Sequence, residues 1–161
     1  MKVIFLDIDG VLNSKQTPNP RKFPFVVDAV PLARLERLIA LTGAHCVLSS
    51  NWRFDPVGRL AAEYFRIPFI DTVPDEPDKS RCDEIRDWLK THPDVDRFIV
   101  IDDEDSELDP LPLFQPSRRT GLTDRIVERA ADYLNGKTDR DMRRNKLVRL
   151  CQNFASLFKG S

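Results

Sequence analysis

The chain begins with a short apolar run that ends in two acids, Val3-Ile4-Phe5-Leu6-Asp7-Ile8-Asp9-Gly10. The segment from Lys2 to Ile8 is rich in Val, Ile and Phe, which is typical of a strand buried on both faces of a parallel sheet. Gly10 allows the backbone to turn away from the strand at once. Two carboxylates placed two residues apart at a buried strand end repel each other unless a cation lies between them. The run therefore predicts a buried strand that ends at a cation-binding site.

Strands and helices alternate along the rest of the sequence. Short apolar runs predict four further strands, at 45–49, 67–70, 98–101 and 113–115. Helical spacing of apolar residues, bounded by capping residues and glycine, predicts helices at 31–42, 55–65, 79–91 and 122–134. Strands that alternate with helices form a parallel sheet with helices on both faces. The sequence therefore predicts an α/β fold, a Rossmann-like three-layer sandwich.

Polar residues follow three of the predicted strands. The three pairs are Asp7 and Asp9, Ser49 and Ser50, and Asp102 and Asp103. Ligands of open parallel sheets bind beyond the carboxyl ends of the strands, so these pairs are expected to converge. Mg²⁺ prefers carboxylate oxygens and keeps several of its waters. We therefore expect a magnesium site shared by the two acidic pairs.

Composition restricts the classes of protein that the chain can belong to. Its 161 residues fit one domain, and its 41% hydrophobic and 32% charged residues are ordinary for a soluble globular protein. A net charge of -1 exerts no general attraction on nucleic acid or membranes. The apolar strand with an acidic end at the start of the chain leads us to expect no signal peptide, and no apolar run approaches the roughly 18 residues of a membrane span. Three cysteines without metal-binding spacing favour reduced thiols and a cytoplasmic location.

The charge is unevenly distributed along the chain. Residues 137–161 hold seven Lys or Arg against two Asp, so this segment carries about +5 and the rest about -6. Apolar residues at helical spacing predict a basic amphipathic helix here, appended to a core of residues 1–136. This C-terminal helix could contact RNA or DNA phosphates, pack on the acidic body, or support self-association with a second subunit.

At four positions the sequence resembles the haloacid dehalogenase (HAD) superfamily of phosphatases. The matching segments, in family order, are Asp7-Ile8-Asp9-Gly10-Val11-Leu12, Val47-Leu48-Ser49, Lys79 before a helix, and Ile101-Asp102-Asp103 with Glu107 beyond. Within the superfamily, the chain looks like the small HAD domains associated with bacterial RNA-repair proteins. The segments that carry this finer likeness are 47–53, the helix with Ile85, Trp88 and Leu89, and 120–123.

The resemblance implies a HAD-like parallel sheet of about five strands in the order 3-2-1-4-5. Many members of the superfamily cover the site with an inserted cap domain. Here about 35 residues separate the first motif from Ser49 and about 30 separate Ser49 from Lys79, and predicted helices and strands take up most of each gap. We therefore expect no cap domain and an open site, with residues 13–28 forming at most a flap.

The resemblance also implies a role for each acid. Asp7 would be the nucleophile and form an aspartyl-phosphate. Asp9 would protonate the leaving oxygen and then deprotonate the attacking water. Mg²⁺ would be held by Asp7, the backbone carbonyl of Asp9 and Asp103, with Asp102 close by.

Two further groups are implied as ligands of the phosphate. Ser49 would donate a hydrogen bond to one phosphoryl oxygen, and Lys79 would neutralise the charge of another. Arg81 lies two residues beyond Lys79 and could do the same work, so the third motif has two candidates. Ser49 fits the end of its strand better than Ser50 does.

The segment after the second motif offers more candidates for substrate binding. They are Ser50, Asn51 and Arg53, beside Gly10 of the first motif. Ser50 and Asn51 could equally cap a helix or form a turn. Trp52 next to Arg53 could stack a base beside a phosphate contact, or Trp52 could pack in the core while Arg53 pairs with an acid.

The sequence thus predicts a Mg²⁺-dependent phosphomonoester hydrolase with a phosphorylated substrate, preferably a nucleotide or the end of RNA or DNA. Three alternatives remain. One is a phosphatase of a small metabolite, another is a non-catalytic module that keeps the fold, and the third transfers the phosphoryl group to an acceptor other than water.

Overall fold

The computed structural model describes residues 1–76 and 78–137. Its sheet has five parallel strands in the order β3-β2-β1-β4-β5. The strands are β1 (Lys2–Leu6), β2 (His45–Leu48), β3 (Phe69–Thr72), β4 (Arg97–Ile101) and β5 (Leu113–Phe114). The helices of these residues are α1 (Ala29–Thr42), α2 (Pro56–Tyr64), α3 (Arg81–Thr91) and α4 (Asp124–Leu134), with a 3₁₀ helix at Asn51–Phe54. The predicted fold class and strand order are confirmed.

Side chains of β1 alternate between two separate cores. Ile4 and Leu6 belong to the core beneath α1, α2 and α4, and Phe5 belongs to the core beneath α3. All three are fully buried, as predicted for a strand covered on both faces. The sheet is therefore the middle layer of a three-layer sandwich.

Capping residues set the helix starts. α1 begins at Ala29, two residues earlier than predicted, because the Asp28 side chain accepts a hydrogen bond from the Val30 amide. α3 begins at Arg81, two residues later than predicted, because Ser80 caps it by accepting from the Asp83 amide.

The predicted position of β3 is wrong by two residues. The prediction followed the apolar residues of 67–70, but the strand covers Phe69–Thr72. β3 lies at an edge of the sheet, where Asp71 pairs in register with Val47 while Ile70 is exposed. A half-solvated edge strand accepts polar residues, so apolar content did not mark its bounds.

The strand order places the carboxyl ends of β2, β1 and β4 side by side. Among residues 1–76 and 78–137, no inserted domain covers that edge. None of the helices in the described part of the chain is long and apolar enough to cross a membrane. The predicted C-terminal helix lies outside the described residues, apart from Lys137, and its roles stay predictions.

Candidate active site

Three carboxylates meet at the carboxyl edge of the sheet. Asp7 follows β1 while Asp102 and Asp103 follow β4, and one oxygen from each lies within 4.8 Å of the others. The parallel pairing of the two strands brings them together, since the Asp7 amide donates to the Ile101 carbonyl over 2.9 Å. Asp7 and Asp102 are buried and Asp103 is partly exposed. We call these three residues the acidic cluster.

The acidic cluster destabilises ionised Asp7. Burial and the neighbouring Asp102 charge raise the pKa of Asp7 from 3.8 to about 7, against the opposing influence of Arg81 and the Ser50 hydroxyl. A cation placed between Asp7 and its acidic neighbours would stabilise the ionised form of Asp7. Closely spaced carboxylate oxygens are also the donors that Mg²⁺ prefers, so the acidic cluster fits this ion.

Asp7→Asn should therefore stabilise the protein when a chelator is present. Unfolded Asp7 ionises near its ordinary pKa but folded Asp7 only near 7, so wild type loses stability as pH rises from about 4 to about 7. The neutral variant escapes this loss, on the order of 2–4 kcal/mol. Thermal unfolding of both proteins at pH 4.5 and at pH 8 measures the effect. The difference in stability in favour of the variant should be larger at pH 8. Added Mg²⁺ should reduce this difference in stability at pH 8. A difference that does not depend on pH would contradict the burial of an ionisable Asp7.

Arg81 is a cation that the structure brings to Asp7 and Asp102 of the acidic cluster. Its Nη1 lies 2.5 Å from Asp102 Oδ2 and 3.7 Å from Asp7 Oδ1. Its Nη2 donates to Asn51 Oδ1 over 2.9 Å, so Asn51 fixes the second arm of the guanidinium. Arg81 reaches this position because it is the first residue of α3.

The structure does not bring Lys79 to the acidic cluster. Its Nζ donates to Asp87 Oδ2 over 2.7 Å and pairs with Glu76. These partners raise the pKa of the exposed Lys79 ammonium, the hydrogen bond to Asp87 having the largest effect. Between the two candidates for the third motif, the geometry favours Arg81.

The two serines after β2 differ in their bonding. Ser49 is fully buried, and its Oγ has no hydrogen-bond partner among the residues that the structure describes. Ser50 caps the 3₁₀ helix, where its Oγ accepts from the Trp52 amide over 3.4 Å. Because a buried hydroxyl rarely stays without a partner, Ser49 is suited to a ligand oxygen.

Gly10 allows Asp103 to approach the first motif. Its φ of +75° is a left-handed conformation, and a Cβ at this position would lie 2.5 Å from Asp103 Cγ. Asp103 also pairs with Arg118, which reaches in from the turn after β5 and contacts Glu104 as well. Arg118 was not predicted as a site residue, since it lies outside every motif and no local pattern marks it.

Asp9 is not a member of the acidic cluster. Its side chain is exposed and accepts two hydrogen bonds of 2.8 Å each, at Oδ1 from Asn13 Nδ2 and at Oδ2 from Trp52 Nε1. The two acids of the first motif therefore have different surroundings, one buried among charges and the other held by neutral donors.

The charge of Arg53 is paired with an acid inside the protein. The residue is buried, its Nη2 lies 2.5 Å from Glu84 Oε2, and its Nη1 donates to the Ser49 carbonyl over 2.5 Å. Burial lowers the pKa of Arg53, and the charge of Glu84 opposes that shift. Of the two roles left open for Arg53, the structure shows the ion pair. Trp52 likewise packs in the core, edge-to-face on Phe25 at 4.9 Å.

A cavity of about 400 Å³ opens beside Asp102 and Arg81. Carboxylates are twice as numerous as cations in its lining, which is formed by Asn51, Arg53, Phe54, Asp75, Glu76, Lys79, Arg81, Glu84, Asp102, Glu104, Ser106, Glu107 and Leu108. Two of the cations, Arg53 and Arg81, are bound to buried acids of that lining. The Arg81 end is the part of the cavity next to the acidic cluster, since Asp102 also lines it.

The central strand ends in a buried aspartate, and two more acids follow its neighbour. This arrangement, on a parallel sheet of order 3-2-1-4-5, is that of a HAD-type domain of the hydrolase and phosphatase superfamily. Residues 3–127 match the family model described as HAD domain in Swiss Army Knife RNA repair proteins. The match spans well over half of the chain, and the chain belongs to this family. A search of the curated proteins found no match.

Proposed function

We propose that the protein is a Mg²⁺-dependent phosphomonoester hydrolase in which Asp7 is the nucleophile. The observation that carries this proposal is the surroundings of Asp7, buried in the acidic cluster with the Arg81 guanidinium 3.7 Å away. Membership of the HAD superfamily supports the same chemistry. The presence of both Asp7 and Asp9 argues against a non-catalytic module, which would need neither acid.

Each proton and bond has a place in the proposed reaction. An Asp7 carboxylate oxygen attacks phosphorus, the ester bond breaks, and Asp9 gives its proton to the leaving alcohol. The product on the enzyme is an aspartyl-phosphate. Asp9, now ionised, takes a proton from a water that attacks phosphorus, and inorganic phosphate leaves as Asp7 is restored.

Asp7, the Asp9 backbone carbonyl and Asp103 would hold the Mg²⁺, with Asp102 close by. The ion would shield the phosphate charge from Asp7 and stabilise the charge of the transition state. Arg81 would neutralise a further phosphoryl oxygen, and Ser49 Oγ would donate to another, which would supply the partner that this hydroxyl lacks.

For the substrate we propose a nucleotide or a phosphate at the end of a nucleic acid. The description of the family, a domain of RNA repair proteins, supports this class. Among residues 1–76 and 78–137 no cap domain covers the edge of the sheet, which also supports it, since a large substrate needs an open site. A cytoplasmic location agrees with Cys46 and Cys82, which are buried and unpaired.

One observation favours a second candidate, a small phosphorylated metabolite. The cavity of about 400 Å³ has the size of a small-molecule site. Its excess of carboxylates repels the backbone of a polynucleotide and suits a compact ester whose only anionic group reaches Arg81.

An activity screen separates the two substrate classes. The purified full chain would be assayed for phosphate release with Mg²⁺ against nucleotides, sugar phosphates, and RNA or DNA carrying a 5′- or 3′-phosphate. We expect the highest kcat/KM on nucleotides or polynucleotide ends. A clear preference for a sugar phosphate would defeat that substrate class and leave the chemistry at Asp7 standing.

A further inference from the structure

Both carboxylate oxygens of Asp9 are held by side chains to which the proposed reaction assigns no role. Trp52 Nε1 donates to Oδ2 and Asn13 Nδ2 donates to Oδ1, each over 2.8 Å. An exposed aspartate without such partners moves among several rotamers on the nanosecond timescale. The two donors select one orientation of this carboxyl group.

The position of Trp52 is fixed by its packing. The side chain is 2% exposed, its ring lies edge-to-face on Phe25, and Ser50 caps the 3₁₀ helix that carries it. Gly58 allows a close approach from α2, because a Cβ there would lie 2.7 Å from the Trp52 carbonyl oxygen. An indole has one donor and no acceptor, so a buried Trp needs an acceptor for its N–H. Asp9 is that acceptor.

Asn13 connects Asp9 to the backbone around it. Its Oδ1 accepts from the Gly10 amide over 2.9 Å, while its Nδ2 donates to the Val26 carbonyl over 2.9 Å as well as to Asp9. The side chain thereby ties the first motif to the 13–28 segment. Its orientation is determined by three hydrogen bonds rather than one.

We propose that Trp52 and Asn13 are positioning residues that aim the Asp9 carboxyl at the leaving-group oxygen. The inference rests on the proposed function, in which Asp9 transfers a proton. Proton transfer requires donor and acceptor within hydrogen-bond distance in the transition state, so a carboxyl group free to rotate transfers less effectively. Substrate binding does not depend on this orientation, and KM should therefore be insensitive to it.

Trp52→Phe tests the proposal, because it keeps an aromatic ring in the core and removes the N–H. The chain offers a matched control in Trp88→Phe. Trp88 is 4% exposed, lies edge-to-face on Phe5, and donates from Nε1 to an exposed aspartate, Asp71, over 2.7 Å. It lies on α3, in the core on the Phe5 side of the sheet.

Both variants would be assayed with Mg²⁺ on two substrates. An alkyl phosphate has a poor leaving group that needs a proton, whereas p-nitrophenyl phosphate releases a stable anion without one. For Trp52→Phe we expect kcat/KM to fall about 10- to 100-fold on the alkyl phosphate and less than about 3-fold on p-nitrophenyl phosphate. This ratio reports the steps through phosphoryl transfer to Asp7, so the later attack of water, in which Asp9 is the base for both substrates, does not enter it. Trp88→Phe should change neither by more than about 3-fold. Asn13→Ala provides a second variant with the same expected signature should Trp52→Phe fail to fold.

Asp9→Asn separates the failure of the inference from that of the proposed function. If Trp52 acts through Asp9, adding Trp52→Phe to Asp9→Asn should cause no further loss on the alkyl phosphate. A further loss of full size, or an equal loss of kcat/KM on both substrates, would overturn the positioning role. If Asp9→Asn leaves the alkyl phosphate activity intact, the proposed proton transfer is wrong and the inference falls with it.

Discussion

Asp7→Asn is expected to abolish Mg²⁺-dependent phosphate release, with a loss of at least about 10³-fold in kcat. The amide has nearly the shape of the carboxylate, but it is a poor nucleophile and would remove one anionic ligand of the proposed metal site. The loss should be the same for every substrate, because each must pass through the aspartyl-phosphate. Initial rates on p-nitrophenyl phosphate and on the best substrate of the screen measure it.

The control for this variant is Asp96→Asn, at the opposite end of the sheet, where the side chain is 71% exposed and pairs with the terminal amine of Met1. It should keep wild-type activity within about 2-fold. A folded Asp7→Asn protein that retains turnover would remove Asp7 as the nucleophile.

Arg81→Gln is expected to lower kcat/KM by about 10²- to 10³-fold, whereas Lys79→Gln should lower it by less than about 3-fold. Arg81 lies against the acidic cluster and can neutralise a phosphoryl oxygen, while Lys79 is held by Asp87 and Glu76. The two substitutions remove one positive charge each from residues two positions apart, so they are matched controls for each other.

Arg81→Lys refines this comparison. A lysine supplies the charge but not the fork that reaches both Asp102 and Asn51, so we expect only partial recovery of activity. Folding of each variant would be checked by thermal unfolding in Mg²⁺, because Arg81→Gln leaves buried Asp102 without its cationic partner. A larger loss in Lys79→Gln than in Arg81→Gln would return the third-motif role to Lys79.

The fold could be predicted because its signals are local and repeated. The β1 run has no polar alternation, which places it inside a parallel sheet, and Gly43 and Thr123 mark helix ends by their own conformational preferences. Since all strands of a parallel sheet end at the same edge, the predicted strands also placed Asp7 near Asp102 and Asp103. The bounds of β3 were predicted wrongly, because an edge strand is not marked by apolar residues alone.

The detailed geometry of the site depends on a helix start and on long-range pairings that local sequence patterns do not resolve. α3 begins at Arg81, two residues later than predicted, so Lys79 lies in the loop before the helix and Arg81 on its first turn. Arg53 pairs with Glu84, 31 positions along the chain, and Arg118 reaches Asp103 from a turn 15 positions away. Such long-range pairings arise only once the sheet has formed.

The most direct test of the central claim is to trap the phosphorylated enzyme. The full chain with Mg²⁺ would be mixed with its best substrate, quenched in acid within the first turnovers, digested, and analysed by mass spectrometry. The proposed mechanism predicts one added phosphoryl group on the peptide that contains Asp7, absent from Asp7→Asn and lost on treatment with hydroxylamine. A phosphoryl group on another residue of an active enzyme would contradict the assignment of Asp7 as nucleophile.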